Sequence, residues 1–308
     1  MIVRERPSGL TLFLLMRGSI LPRIRNVLLF NIALATAVTI THGMLFQFKV
    51  TLSPIPFSLM GLPLAIFLGF RNTAAYDRYW EARKLWGELL LRSRNLARQC
   101  LHLVDAPPPG TPDVRARMLY RAAAFCHALR LQLRGNADTA DVEALISADE
   151  WRAIAPASNR SAALMLKMGE DLASARRAGL VDSQMAAQID NTLSAMTSAG
   201  ASCERISSTP VPFSYTLLLH RTAYAYCFLL PFGLVDTLTF MTPVVVAIVA
   251  YTFFGLDALG DEIEEPFGDA PNDLPLDALC RSIEIGLREA LGETDLPPPL
   301  QPVDYCLM

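Results

Sequence analysis

Charge is scarce in this chain of 308 residues. Asp, Glu, Lys and Arg together make up 19% of it, against about 25% in an ordinary soluble domain. The deficit is concentrated. Residues 26–48 carry no Asp, Glu, Lys or Arg, residues 50–70 carry none, and a second pair of uncharged runs covers 222–235 and 237–256. A bilayer core asks for roughly 20 apolar residues in a helix. Four such runs in two pairs argue against buried core helices of a soluble protein.

Other absences narrow the function. No basic tract accompanies the net charge of −3, so no nucleic-acid partner is expected. The six cysteines, Cys100, Cys126, Cys203, Cys227, Cys280 and Cys306, form no CxxC pair. They read as free thiols in a reducing compartment. His42, His102, His127 and His220 lack metal-ligand spacing, so neither a metal nor a cofactor is expected. GxGxxG, P-loop and nucleophile–base signatures are missing, which argues against an enzyme. There is no internal repeat of solenoid type.

What is present reads as two helical hairpins in a membrane, joined by a helical region in water. Lys49 separates the first pair of runs and Asp236 the second. The third span extends upstream past His220 and Arg221, because 206–220 is also free of formal charge. Arg4, Arg6, Arg17, Arg23 and Arg25 precede the first span, and Arg71, Arg78, Arg83 and Lys84 follow the second. Lys and Arg collect on the cytoplasmic side, so both termini and the long middle region are expected there. Residues 10–16 form a short apolar run closed by Arg17, without a cleavage site. They read as an interfacial amphipathic helix and not as a signal peptide. Cys306 does not match the prenylation pattern.

The expected segments are therefore 1–25, cytoplasmic and interfacial; 26–76, the first hairpin; 77–208, cytosolic and helical; 209–258, the second hairpin; 259–294, an acidic segment with a helix; and 295–308, a mobile tail. Within 77–208, apolar residues recur at three and four, with helices expected over 115–133, 162–173 and 182–207. Asp182 suits an N-cap. Loops are expected at 106–110 and 155–159. Pro210 and Pro212 should break the chain before the third span. The last helix is expected over 281–291, with Asp273 or Asp277 at its start. Glu262, Glu264 and Glu265 read as subunit contacts or a solvated face.

In the second run Leu62, Ile66 and Phe70 recur every four residues, which stacks them on one helix face. Ala65 and Gly69 beside them would admit neighbouring helices, and Pro63 should kink or loosen the helix. Copies of such a helix around an axis would make an apolar constriction that gates by losing water. The same stripe could equally face lipid or another helix.

Three blocks point further. They are IPFSLMGLPLAIFLGFRNTAAYDRYWEARKLWG at 55–87, CERISSTPVPFSYTLLLHRT at 203–222, and FFGLDALGDEIEEPFGDAPNDLPLD at 253–277. In these the chain resembles the bestrophin family, specifically its bacterial branch. The region from about 100 to 200 matches mainly in helical character. The resemblance implies an all-α membrane protein with four transmembrane helices per subunit and a large helical cytosolic part. It implies a homopentamer around a central pore in a bacterial inner membrane. Leu62, Ile66 and Phe70 match the family's narrow neck, and Leu180, after Gly179, is the candidate for its cytosolic aperture. Eukaryotic members carry a dense acidic run after PFG that holds calcium. Here that segment is Pro266-Phe267-Gly268-Asp269-Ala270-Pro271-Asn272-Asp273, with fewer oxygen ligands than the six to eight calcium takes.

The expected function is passive conduction of small monovalent ions, the partners being other copies of the chain, the bilayer and inorganic ions. Chloride is the candidate on the eukaryotic pattern, whereas bacterial members can favour cations, so the sign stays open. The alternatives are a secondary transporter, which would need an ionisable group at mid-span, and a membrane-anchored helical signalling module.

Overall fold

The protein was analysed as a computed structural model, which describes residues 1–4, 9, 15–16, 18–45, 48–49 and 52–308. Most of the expected interfacial helix over 10–16 lies outside these residues, as do Arg6, Arg17 and the start of the second uncharged run at Val50. The described elements are helical apart from one small hairpin. They are α1 (Leu21–Ile40), β1 (Met44–Leu45), β2 (Phe48–Lys49), α2 (Pro54–Leu103), α3 (Val114–Arg134), α4 (Ala140–Glu143), α5 (Ala148–Ile154), α6 (Arg160–Arg177), α7 (Ser183–Ser208), α8 (Phe213–Leu238), a 3₁₀ turn (Thr239–Met241), α9 (Thr242–Glu264) and α10 (Leu276–Ala290). Among the described residues, three helical stretches are long and apolar enough to cross a membrane: Leu21–Ile40, Pro54–Leu103 and Phe213–Glu264. The last holds both α8 and α9, separated by the 3₁₀ turn.

The chain divides into two compact units. The first, here the bundle unit, contains Glu5–Tyr79 and Pro210–Glu265. α1 packs on α8 and α9, and α8 on α9. Leu64 and Leu68 of α2 join Ile24, Leu219, Ala223, Cys227, Phe253 and Phe254 in its core. α1 is shorter at its C-terminal end than the uncharged run that suggested it. It stops at Ile40, and His42 and Gly43 follow with φ of 48° and 74°. Lack of charge makes a segment compatible with lipid; it does not oblige it to be helical. β1 and β2 pair Met44 with Lys49. Lys49 Nζ then reaches Asp236 Oδ1 at 2.9 Å, so the two charges that separate the uncharged runs meet.

Two prolines lie inside bundle helices, Pro63 in α2 and Pro231 in α8, and both helices continue through them. Pro231 has no N–H, so the carbonyl of Cys227, four residues earlier, loses its helical donor. Asn31 of α1, wholly buried, donates Nδ2 to that oxygen at 3.0 Å. A buried carbonyl left unmet costs about 1–3 kcal/mol, which explains a buried asparagine in an uncharged helix. Within the chain, close approach falls at Gly233 and Gly61. A Cβ on Gly233 would sit 2.4 Å from a ring carbon of Phe57, and one on Gly61 would sit 2.9 Å from the hydroxyl oxygen of Tyr226. Around Gly69 nothing lies within 4 Å, and Ala65 is exposed. These two residues lie on the face that α2 turns away from its own bundle.

The second, charged unit contains Met1–Arg4, Trp80–Thr209 and Pro266–Met308. α3 packs on α6 and α10, and α6 on α7. The helix starts follow local chemistry. Asp113, Asn159 and Asp182 cap α3, α6 and α7 by accepting from backbone N–H groups, as expected for Asp182. α7 ends at Ser208 and α8 begins at Phe213, so the two prolines do break the chain. α10 begins five residues earlier than expected, after Pro275. Neither Asp273 nor Asp277 caps it: Asp277 bonds Arg130 and Arg134 from within the first turn. The last residues, read from sequence as a mobile tail, have partners. Ile2 bridges Cys306, Val3 N–H donates to Tyr305 O at 2.8 Å, and Ala278 N–H donates to Met308 O at 2.8 Å. Contacts between residues some 300 positions apart leave no local signal.

Candidate functional site

Leu62, Ile66 and Phe70 lie on α2 and share one face, 67%, 46% and 61% exposed respectively. The face opposite holds Leu64, Leu68, Arg71 and Ala75, all buried. The alternation follows from 3.6 residues per turn: a step of two residues rotates a side chain about 200°. One α2 face thus closes the bundle core, while the other leaves bulky apolar side chains largely exposed among the described residues. The ring of Phe70 meets that of Phe67 edge-on at 6.4 Å. Between α2 and α8 runs an apolar groove of about 330 Å³ lined by Leu59, Met60, Pro63, Phe67, Tyr215 and Leu218, among others.

Directly after Phe70 comes a charge cluster that sequence reasoning missed. Arg71 has no exposed surface. Its Nη1 donates to Asp257 Oδ1 at 2.9 Å and to Asp257 O at 3.2 Å. Its Nη2 donates to Asp261 and lies 3.5 Å from Glu264 Oε2. Asp257, Asp261 and Glu264 are spaced by four and three, hence on one face of α9. That spacing, together with an arginine at the end of an uncharged run, was the available signal. On the other side, His220 Nδ1 lies 2.6 Å from Asp257 Oδ2, and its ring stacks on Tyr224 with centroids 4.1 Å apart. Glu264, expected to be solvated or a subunit contact, instead accepts from Val211 N–H at 3.0 Å and is 12% exposed. Its carboxylate is occupied by the bundle's own arginine and backbone.

Leu180 lies in the charged unit, at the C-terminal cap of α6 and not at a helix start. Gly179, at φ 73°, donates to Arg176 O, and Leu180 N–H donates to Ala175 O at 3.0 Å. This is the paired reversal that closes many helices. Leu180 O also accepts from Asp105 N–H at 2.7 Å, so its backbone is fixed on both sides while its side chain is half-buried.

The segment after PFG has partners for its acids within its own unit. Asp273 is buried and its Oδ2 accepts from Ala270 N–H at 2.7 Å. A Cβ on Gly268 would lie 2.5 Å from that same oxygen. Asp269 pairs with Arg134 at 3.0 Å. Among the described residues no group of three or more His, Cys, Asp or Glu is placed to hold a metal ion.

This helical order and these motif blocks have close counterparts. A family model described as bacterial/fungal bestrophin protein matches residues 1–289. A Mesorhizobium japonicum protein named voltage-dependent anion channel-forming protein is 47% identical over 305 residues, covering 99% of this chain and 96% of that one. An Escherichia coli K12 protein of the same name, YneE, is 39% identical over 304 residues, 98% of each chain. A solved structure of a bacterial bestrophin homologue from Klebsiella pneumoniae is 39% identical, with a TM-score of 0.82, covering 88% of this chain and 100% of that one. With its family model matched over most of its length and its relatives matched almost end to end, the chain belongs to the bestrophin family, on the bacterial and fungal branch.

Proposed function

We propose that the chain is one subunit of a homopentameric channel in the bacterial inner membrane, passing small monovalent ions down their gradient without catalysis. α1, the first part of α2, α8 and α9 are the four crossings in this reading. Segments 26–76 and 209–258 form the membrane hairpins, and the termini, 77–208 and 259–294 lie in the cytoplasm. Leu62, Ile66 and Phe70 line the neck, and Leu180 is the cytosolic aperture. The observation that carries the reading is the α2 stripe. Three bulky apolar residues stand one above another on a helix face that its own chain leaves uncovered. Five such faces around an axis would leave an ion no polar atom at three successive levels, and such a constriction gates by dewetting. The neck carries no formal charge, so it sets a barrier and not a sign. Anions are proposed as the permeant class because the relatives carry that name.

The test is reconstitution of the full chain in liposomes or planar bilayers. Current should pass without an energy source, and its reversal potential under a chloride gradient should follow chloride. Alanine at Leu62, Ile66 or Phe70 should raise the current. A reversal potential that tracks the cation would correct the sign and keep the channel. Unchanged current in all three variants would remove the neck assignment, and no flux in either wild type or Phe70→Ala would end the channel reading.

A further inference from the structure

The charge cluster behind Phe70 has an asymmetry that the conduction reading does not use. Arg71 is wholly buried and faces three carboxylates of α9: Asp257, Asp261 and Glu264. Among the described residues, the side-chain ion pairs of Arg71 set one guanidinium against three carboxylates. From α2, Arg78 adds Nε on the backbone oxygen of Glu264, at 3.3 Å. α1 brings Ile24 and Leu28 to the core beneath, and its Asn31 is engaged with the carbonyl of Cys227. α8 brings His220, with Tyr224 stacked on its ring. His220 is thus the titratable group placed to restore part of the balance. It meets Asp257 Oδ2 at 2.6 Å while Arg71 meets Asp257 Oδ1 at 2.9 Å, so one buried carboxylate joins α8, α9 and α2. Asp257 is 4% exposed whereas the His220 side chain is 45% exposed. The imidazole is therefore the open side of the pair and the carboxylate the closed one.

We propose that His220 is a proton-sensing positioning residue for the conduction pathway, acting through Asp257 and Arg71 on the adjacent Phe70. The inference rests on the neck reading above. With His220 protonated, Asp257 carries cations on both oxygens and α2 is held against α8 and α9 at the residue following Phe70. With His220 neutral, that carboxylate keeps Arg71 alone, the surplus of negative charge grows by one, and the end of the stripe gains freedom. Acid on the cytoplasmic face therefore favours the tight state and lowers current. Imidazoles change charge between pH 5 and 8. A hydrogen bond to a charged group shifts an equilibrium by roughly tenfold or more.

The experiment is the current through reconstituted full-length channels as cytoplasmic pH is stepped from 5 to 8. Wild type should pass roughly tenfold more current at the alkaline end, the effect of one charged hydrogen bond. His220→Gln, which stays neutral, should give a flat profile near the alkaline level. His220→Lys, cationic throughout, should give a flat profile near the acid level. A merely structural histidine would scale the current at every pH and leave the shape of the profile unchanged. A wild-type profile that is flat, or one that survives His220→Gln, overturns the proposal. Phe70→Ala is recorded alongside. If it leaves the current unchanged while His220→Gln flattens the profile, the proton link holds and the barrier lies elsewhere than Phe70. If Phe70→Ala raises the current while His220→Gln keeps the wild-type profile, the neck holds and the proton link is lost.

Discussion

In the bundle unit, helices meet across Leu64, Leu68, Phe253 and Phe254, and the buried ionised groups gather around Arg71. In the charged unit, α3 alone carries Arg121, His127, Arg130 and Arg134 into the interior, each within reach of a carboxylate. Arg121 bonds both Glu150 and Asp171, Arg130 both Asp141 and Asp277. In the membrane reading proposed above, the difference follows from solvent. A helix meant for lipid cannot expose charge while it waits to pack, so its specificity comes from glycine gaps, ring contacts and a rare amide such as Asn31. A helix folding in water can bring arginines to buried partners and gains a unique register from them. Each such pair depends on both members, because an orphaned buried charge costs more than the pair contributes.

The contrast can be broken most severely in the charged unit. Arg121→Ala leaves Glu150 and Asp171, 11% and 10% exposed, without that cation. A loss of about 3–5 kcal/mol is expected, read as a large drop in the thermal midpoint of detergent-solubilised protein. In the bundle unit the strongest polar link should cost less. Asn31→Ala removes the donor to Cys227 O, worth about 1–2 kcal/mol. The sharper measurement is a double-mutant cycle. Pro231→Ala returns an N–H to that carbonyl, so Asn31→Ala should cost less in the Pro231→Ala background than alone. Additive costs would show that the amide serves another purpose.

A still smaller effect is expected from acid. Burial pushes the Glu284 carboxyl up, but its bonds to His127 and Arg288 and the charges of His127 and Arg281 outweigh this and hold it below the ordinary glutamate range. A depressed carboxylate stabilises the folded state above its unfolded value and loses that contribution as pH falls through the folded value. Stability should therefore decline below about pH 4.3, and Glu284→Gln should shallow that decline. An unchanged slope would assign acid sensitivity to other carboxylates. The smallest effect is expected at Lys49→Ala. The ion pair with Asp236 is about half exposed on both sides, so about 0–1 kcal/mol is at stake, and it should vanish in high salt.

Much of the helix order was legible because its causes are local. Asp182 caps, Pro210 and Pro212 break, and residues at three and four share a face whatever the rest of the chain does. The α2 stripe belongs to this class, since Leu62, Ile66 and Phe70 must align on any regular helix. Other features had weak or no local marks. α2 runs unbroken from Pro54 to Leu103, although its composition turns from uncharged to charged midway; neither Gly69, Gly87 nor Pro63 stops it. α1 ends before its uncharged run does, because residues 42 and 43 take left-handed backbone angles.

By itself, then, the sequence determined which segments suit lipid, where helices start and break, and which side chains line up along α2. All of these depend on residues a few positions apart. Only the tertiary structure decided which face of α2 is buried, that Asn31 serves the carbonyl freed by Pro231, and that Arg71 meets Asp257 and Asp261 while His220 meets the other oxygen of Asp257. Asn31 and Cys227 stand 196 positions apart in the chain, and Arg71 stands 186 and 190 positions from Asp257 and Asp261. A hydrogen bond or ion pair depends on distance in space, and separation along the chain says nothing of that distance until the helices have packed.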